Sequence, residues 1–147
     1  MKRVLVAAAV LAASVSAVLA QQEVAVQQQN LMKSQGKSMY GVVLKMVKGE
    51  TPFDKAAADA ALKALADDVA KIPNAFTTNP KEDVKDATFG ASQKIWQNKA
   101  DFDAKVPAVT KAIADAKFTD AASLKVAYDA IQEKCTGCHD TYRVKLK

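Results

Sequence analysis

Histidine and cysteine are almost absent from this chain, which has one histidine and two cysteines among 147 residues. With so few thiols, a second Cys-x-x-Cys pair and a disulfide framework are both excluded. Glycine and proline are also sparse, with five and four residues, and no low-complexity linker is present. Alanine is abundant, and this composition favours helices.

No strong excess of one charge is present either. The chain has 21 Lys and Arg against 16 Asp and Glu, a formal net charge of +5. Lys2 and Arg3 fall in the first twenty residues, which contain no acid, so residues 21–147 carry +3. Basic residues do not interleave with aromatic ones, and the balance is not that of a nucleic-acid-binding protein. We therefore expect no nucleic-acid partner.

The N-terminus carries the one long apolar run. Lys2 and Arg3 make a short basic start, and residues 4–20 are apolar and small apart from two serines. The run is short, ends in small residues at the −3 and −1 positions of a cleavage site, and has no stop-transfer flank. It predicts a secretory signal peptide over residues 1–20, with an uncleaved anchor as the alternative. Residues 21–147 then form one domain without a membrane anchor.

All of the chain's cysteine and histidine falls within five residues, Cys135-Thr136-Gly137-Cys138-His139. Cys-x-x-Cys-His is the attachment pattern of c-type haem. Two thiols at this spacing add to the two vinyl groups of one haem, and the next residue supplies an imidazole as the proximal iron ligand. The pattern predicts one covalent haem c, attached to Cys135 and Cys138, with His139 as an axial ligand.

Three other sites could use this pattern. A zinc site needs four ligands, and these residues supply three. A thioredoxin-type Cys-x-x-Cys begins a helix after a strand, and no strand pattern precedes this one. A disulfide across two intervening residues closes a very small loop and stabilises little. Haem attachment also agrees with export, because thioether attachment belongs outside the bacterial inner membrane, so we expect a periplasmic protein.

Four stretches carry apolar residues at helical spacing, in steps of mostly three and four residues. The first covers roughly residues 24–48, and the second begins with Thr51 as N-cap and ends at Pro73. The third covers roughly residues 91–117, and the fourth begins near Thr119 or Asp120. The predicted core positions are Met32, Gly36, Met39, Val43 and Met46; Ala58, Leu62, Leu65, Val69 and Ile72; Ile95, Phe102, Val106, Val109 and Ile113; and Leu124, Tyr128, Ile131, Cys135, Cys138 and Tyr142.

Stripes of this period form the seam of a left-handed bundle whose helices cross at about 20°. The connections are mostly short, with a longer one over residues 74–90. The predicted fold class is all-α: an antiparallel up-down-up-down four-helix bundle with covalently attached haem c. The fourth stripe contains both cysteines, which tethers the haem to the core face. Monomer and homodimer both stay open, because small helical stripes can also form an interface.

The first and fourth helices of such a bundle are antiparallel, which brings Met32 level with His139. His139 lies eight residues before the end of the chain and Met32 nine residues after Glu23, about 12 and 14 Å of helix. Met39 lies about 10 Å further along. Met32 is therefore the predicted sixth ligand, with ordinary core packing as the alternative. Gly36 would let the porphyrin lie close to the helix.

The chain resembles the cytochrome c′ family, the class II c-type cytochromes, over essentially all of residues 21–147. The segments that carry the resemblance are 36–39, 48–54, 95–96 and 135–143. The resemblance implies that Trp96 and Arg143 lie near the haem and its propionates, with core packing and a solvated tail as their alternatives. The predicted haem-pocket residues are Gly36, Met39, Trp96, Tyr128, Tyr142 and Arg143.

Members of that family differ on the distal face of the haem. High-spin members leave the iron five-coordinate under an apolar residue and bind nitric oxide or carbon monoxide, whereas low-spin members place Met there and transfer electrons. At the corresponding position this sequence has Met32. The resemblance implies a periplasmic monohaem electron carrier with redox partner proteins. The alternatives are a gas-binding protein and a haemless redox module, and no catalytic dyad indicates an enzyme.

Overall fold

The computed structural model describes residues 21–147, so the predicted signal peptide lies outside the described residues. The first helix, α1, is α-helical over residues 21–36, π-helical over Lys37–Val43 and α-helical again over Leu44–Val47. Gly49 follows with φ of 72°. Glycine adopts this left-handed conformation without strain, and Gly49 ends the helix in this way.

The second helix, α2, spans Lys55–Val69. The side chain of Asp54 is its N-cap and accepts a hydrogen bond from the backbone N–H of Ala57 at 3.0 Å. The predicted N-cap, Thr51, is therefore wrong by three residues. Asp is at least as good a cap as Thr, and here it lies nearer to the first apolar position. The predicted buried positions Ala58, Leu62, Leu65 and Val69 are all in the core.

The chain turns after α2 into a short helix, α3, over Ile72–Ala75. Pro73 lies in the first turn of α3, where its missing N–H removes no helical hydrogen bond. Because α2 already ends at Val69, the prediction that the second helix ends at Pro73 is wrong. The long connection ends in a strand, β1, over Phe89–Ala91, which pairs antiparallel with β2 over Arg143–Lys145. This two-stranded ladder is an addition to the predicted all-α bundle.

The third predicted helix is two helices, α4 over Lys94–Gln97 and α5 over Lys99–Asp115. Asn98 separates them, with φ −138° and ψ 58°. The last helix, α6, spans Ala121–Tyr142 and begins with a capping box in which Asp120 and Ser123 satisfy each other's backbone N–H. The long helices α1, α2, α5 and α6 form the four-helix bundle. Over the described part, no helix is both long and apolar enough to cross a membrane.

Most of the predicted core positions are buried on the facing sides of these helices, whereas Met32, Gly36, Ile72, Cys135 and Cys138 are half-buried. One cluster joins α1, α2, α5 and α6, and a smaller one gathers around the end of α6. Leu124 and Ile131 have no exposed surface, and Leu65 has none on α2. Members of the smaller cluster are Phe76, Ile95, Phe102 and Tyr142.

Replacing Leu124 by alanine should lower the free energy of unfolding by about 2–5 kcal/mol, because a fully buried leucine leaves a cavity that the bundle cannot close. Leu124 packs in the larger cluster. Val126 on the same helix is 70% exposed, and Val126→Ala is the matched control, with an expected change within about 0.5 kcal/mol. Urea denaturation of the two holoproteins measures the difference. Equal losses would show that α6 is packed differently.

Candidate haem site

The bundle contains a cavity of about 500 Å³ that opens to solvent. Its lining is mostly apolar and comes from α1, α2, α5, α6 and the loop before β1. The cysteine and histidine side chains of the Cys-x-x-Cys-His motif lie on the α6 wall. Three of the predicted residues of α1 lie on another wall: Met32, Gly36 and Met39. The fold thus brings the two halves of the predicted site to one cavity.

Both cysteines are half-buried free thiols on the inner side of α6. Cys135 packs against the larger core cluster and Cys138 against the smaller one. Burial raises the pKa of both thiols, as expected when a charged form is removed from water.

Within residues 21–147 no group of three or more His, Cys, Asp or Glu residues is arranged to hold a metal ion. This arrangement gives no support to a zinc site.

His139 is also half-buried, one residue further round the helix. Burial lowers the pKa of its imidazole, and the positive charge of Arg143 lowers it further. A lower pKa keeps the ring neutral at physiological pH, which is the form that binds a metal through a ring nitrogen. The position of His139 therefore suits an axial ligand of a haem held at the two thiols.

On the α1 wall, Met32 is half-buried and packs against the smaller cluster, while Met39 is 3% exposed. A Cβ added at Gly36 would meet only the Tyr40 ring, at an ordinary contact distance of 3.8 Å. Contacts within the protein therefore do not require glycine at this position. The π-helical turn after Gly36 has no signal in the apolar spacing, and such turns often mark functional sites.

Two residues predicted for the haem pocket lie outside the cavity lining. The indole Nε1–H of Trp96 donates a hydrogen bond to the Phe76 carbonyl at 3.0 Å, and its ring packs against the smaller cluster that Met32 and Cys138 also contact. Tyr128 is 9% exposed in the larger cluster. Because neither side chain lines the cavity, a direct contact of either with haem stays a prediction.

Tyr142 and Arg143, at the end of α6, do line the cavity. The Tyr142 hydroxyl donates a hydrogen bond to the Asp101 carboxylate, which raises the pKa of Tyr142 to about 12. The Arg143 guanidinium lies over the Phe89 ring, 4.5 Å from its centroid. The apolar spacing does not reveal these two contacts. Asp101 is a polar residue outside the apolar stripe, and Phe89 lies at the end of the long connection.

Several lining residues were not predicted. The loop before β1 contributes Glu82, Asp83 and Asp86, and α5 contributes Lys105. A Cβ at Gly90 would meet the carboxylate of Asp83, so that side chain would have to turn away to admit any other residue there. The length of the connection was the only sequence signal for this wall.

The Asp101–Tyr142 hydrogen bond should make stability depend on acidity. Tyr142 lowers the pKa of Asp101, and Lys105, 3.6 Å away, lowers it further. A carboxyl whose pKa is lower in the folded protein stabilises it above the unfolded-state pKa of about 3.9, and this contribution is lost as the pH falls through the lower folded value. Asp101→Asn should therefore destabilise the protein at pH 7 and less so at pH 3.

Urea midpoints measured across this pH range test the expectation. In a Tyr142→Phe background the pH-dependent effect of Asp101→Asn should shrink, because the main cause of the pKa shift has been removed. An effect of Asp101→Asn that stays constant with pH when Tyr142 is present would contradict the assigned hydrogen bond.

Comparison with known proteins agrees with this geometry. The family model described as Cytochrome C′ matches residues 23–143. The chain is 58% identical to cytochrome c-555 of Bradyrhizobium diazoefficiens, with 100% of each chain covered, and 37% identical to cytochrome c-556 of Rhodopseudomonas palustris, with 99% of each covered. The solved structure of cytochrome c′ from Rhodopseudomonas palustris has a TM-score of 0.74 and 33% identity, covering 84% of this chain and 98% of that chain.

Proposed function

Because this chain belongs to the cytochrome c′ family, we propose that it carries single electrons between redox partner proteins through a haem iron ligated by His139 and Met32. The protein is a monohaem c-type cytochrome with one covalently bound haem c. Cys135 and Cys138 are the only thiols in the chain that can hold it. The predicted signal peptide supports the proposal that it works in the periplasm. That it is not an enzyme stays a prediction.

The observation that carries the proposal is that two side chains able to ligate iron line one apolar cavity. His139 comes from α6 and Met32 from α1, and both line the cavity that the thiols also face. When bound, haem c supplies a one-electron Fe(III)/Fe(II) couple, and a thioether ligand raises its potential.

The residues around the motif each have a defined part in this proposal. The two thiols fix the cofactor to α6, and the neutral imidazole of His139 offers a ring nitrogen. Apolar residues such as Leu65, Val106 and Val109 exclude water from the inner part of the cavity. Met32 supplies a soft sulfur that is already partly removed from solvent. With His139 and Met32 both bound to the cofactor, electron transfer would require little structural reorganisation.

The alternative is a protein that binds nitric oxide or carbon monoxide at an open sixth position. That function requires Met32 to pack in the core without reaching the iron. Relatives carry names of both kinds, cytochrome c-556 and cytochrome c′. The choice between the two functions therefore depends on the role of Met32 in this chain.

A potentiometric titration of the holoprotein, with and without carbon monoxide, tests the electron-carrier function. We expect a one-electron curve that carbon monoxide does not move, and fast reduction and reoxidation in stopped-flow mixing. A midpoint that rises with the pressure of carbon monoxide would contradict a fixed sixth ligand and favour gas binding. Met39→Leu changes another methionine of the same cavity wall, and its titration should match that of the wild-type protein.

A further inference from the structure

One buried polar atom in the cavity wall has no partner. The side-chain Nε2 of Gln35 is shielded from solvent and makes no hydrogen bond within residues 21–147. Gln35 lines the cavity three residues after Met32 on α1. Buried N–H groups in native proteins almost always find an acceptor, because an unpaired one loses its bond to water without replacement. The free amide thus indicates an acceptor that enters the cavity.

Gln28, two turns earlier on the same side of α1, shows what a satisfied amide looks like. It is 4% exposed, and its Nε2 donates to the carbonyls of Ala75 and Thr78, each at 3.0 Å. That side chain is used to join α1 to the segment after α2. Gln35 has no corresponding carbonyl.

Within residues 21–147, no residue of the cavity lining accepts a hydrogen bond from the Gln35 amide. Apart from Lys105, which can only donate, the lining residues of α2 and α5 are apolar, and the neighbours of Gln35 on α1 include Met32, Gly36 and Met39. A thioether sulfur is only a weak acceptor. A glutamine at this position is therefore not explained by packing within the protein, and an apolar residue of similar size would fit the wall as well.

We propose that Gln35 donates a hydrogen bond to an oxygen acceptor that the bound cofactor brings into the cavity. The acceptor is a haem carboxylate or, when Met32 is not bound to the iron, a small oxygen-bearing molecule such as water or carbon monoxide on the Met32 side. The proposal rests on the haem site assigned above. In this role Gln35 is a positioning residue, because its amide would hold an oxygen acceptor at one place in a mostly apolar cavity.

The first arm of the test measures the pH dependence of the reduction potential in wild-type, Gln35→Leu and Gln27→Leu holoproteins. Gln27 is exposed on the same helix, and its Nε2 donates to Glu23 at 3.4 Å, so Gln27→Leu is the matched control. If a haem carboxylate is the acceptor, losing the donor raises the pKa of that carboxyl. The pH at which the potential begins to change should then rise in Gln35→Leu alone.

The second arm uses the ferrous carbon monoxide complex in a Met32→Ala background, where the sixth position is open whether or not Met32 is a ligand. If Gln35 reaches a molecule beside the iron, Gln35→Leu should raise the C–O stretching frequency and speed carbon monoxide release about 2- to 10-fold, the range that one net hydrogen bond gives. Gln35→Met keeps the length of the side chain but lacks the Nε2 donor, and it provides a second variant should leucine disturb the fold.

A change in the first arm alone identifies a haem carboxylate as the acceptor, and a change in the second alone identifies a molecule beside the iron. A change in both arms means that the Gln35 amide can donate to either acceptor. No change in either arm, in protein that retains covalent haem, would overturn the proposal. Failure of the electron-carrier function would be seen separately, in the wild-type response to carbon monoxide, because neither arm depends on Met32 being a ligand.

Discussion

In the ferric holoprotein, Met32→Ala is expected to convert a low-spin spectrum to a high-spin one. Removal of the thioether leaves a methyl group that cannot reach the iron, so the sixth position opens. The reduced variant should bind carbon monoxide. The reduction potential should fall by roughly 0.1 V or more, within the range of about 0.8 V over which axial ligands set haem potentials. Optical spectra of both oxidation states and a potentiometric titration measure these changes.

Met39→Leu and Met46→Leu are the controls for this experiment. Both methionines are buried on α1, at 3% and 5% exposure, and Met39 lines the same cavity. Leucine keeps the apolar volume of each side chain, so stability should change by less than about 1.5 kcal/mol and the spectra should not change. If Met32→Ala leaves the spectrum and the potential as they are, Met32 is a core residue only.

The second large effect is the dependence of folding on haem. A dry cavity of 500 Å³ would cost about 12 kcal/mol at about 24 cal/mol per Å³, which is comparable to the whole stability of a typical domain, about 5–15 kcal/mol. Because the cavity opens to solvent, the real cost is smaller, but water against its apolar lining is still unfavourable. Haem-free protein should therefore unfold at lower temperature and with less cooperativity than holoprotein.

Thermal unfolding followed by circular dichroism tests this dependence. The comparison is between holoprotein and a chain with both Cys135→Ser and Cys138→Ser, freed of haem. Serine is close in size to cysteine, so the loss should come from the missing cofactor more than from the substitutions. Equal midpoints and equally steep transitions would mean that the bundle closes over an empty cavity and that haem is not part of the core.

Regular apolar spacing explains why most of the bundle could be predicted from the sequence. Residues such as Val43, Leu65, Val109 and Ile131 are all buried at the predicted positions, because a stripe three or four residues apart has only one side of a helix to occupy. The start of α6 was predicted to within one residue, since Thr119 and Asp120 can both cap a helix and the structure uses Asp120.

Helix ends and irregular turns were predicted less well. Thr51 and Asp54 are both acceptable N-caps, and their order in the chain does not say which one closes the first turn. The π-helical segment Lys37–Val43 keeps its apolar residues inward, so the spacing is the same as that of an α-helix. The β1–β2 ladder is three residues long on each side, too short for an alternating pattern.

At the site, the sequence was most informative where the chemistry is local. Cys135, Cys138 and His139 are recognisable because covalent haem attachment requires a fixed short spacing. Gln35 is different, since a glutamine on a helix is ordinary until the structure shows its amide buried without a partner among residues 21–147. The acidic loop residues Glu82, Asp83 and Asp86 could not be recognised from the sequence either, because only the tertiary fold brings them to the cavity.

The optical spectrum of the wild-type ferric protein tests the proposed ligation most directly. With His139 and Met32 both bound, it should be low-spin and show the weak long-wavelength charge-transfer band of a sulfur–iron bond. A high-spin ferric spectrum without that band, together with ready binding of carbon monoxide by the ferrous form, would contradict the account.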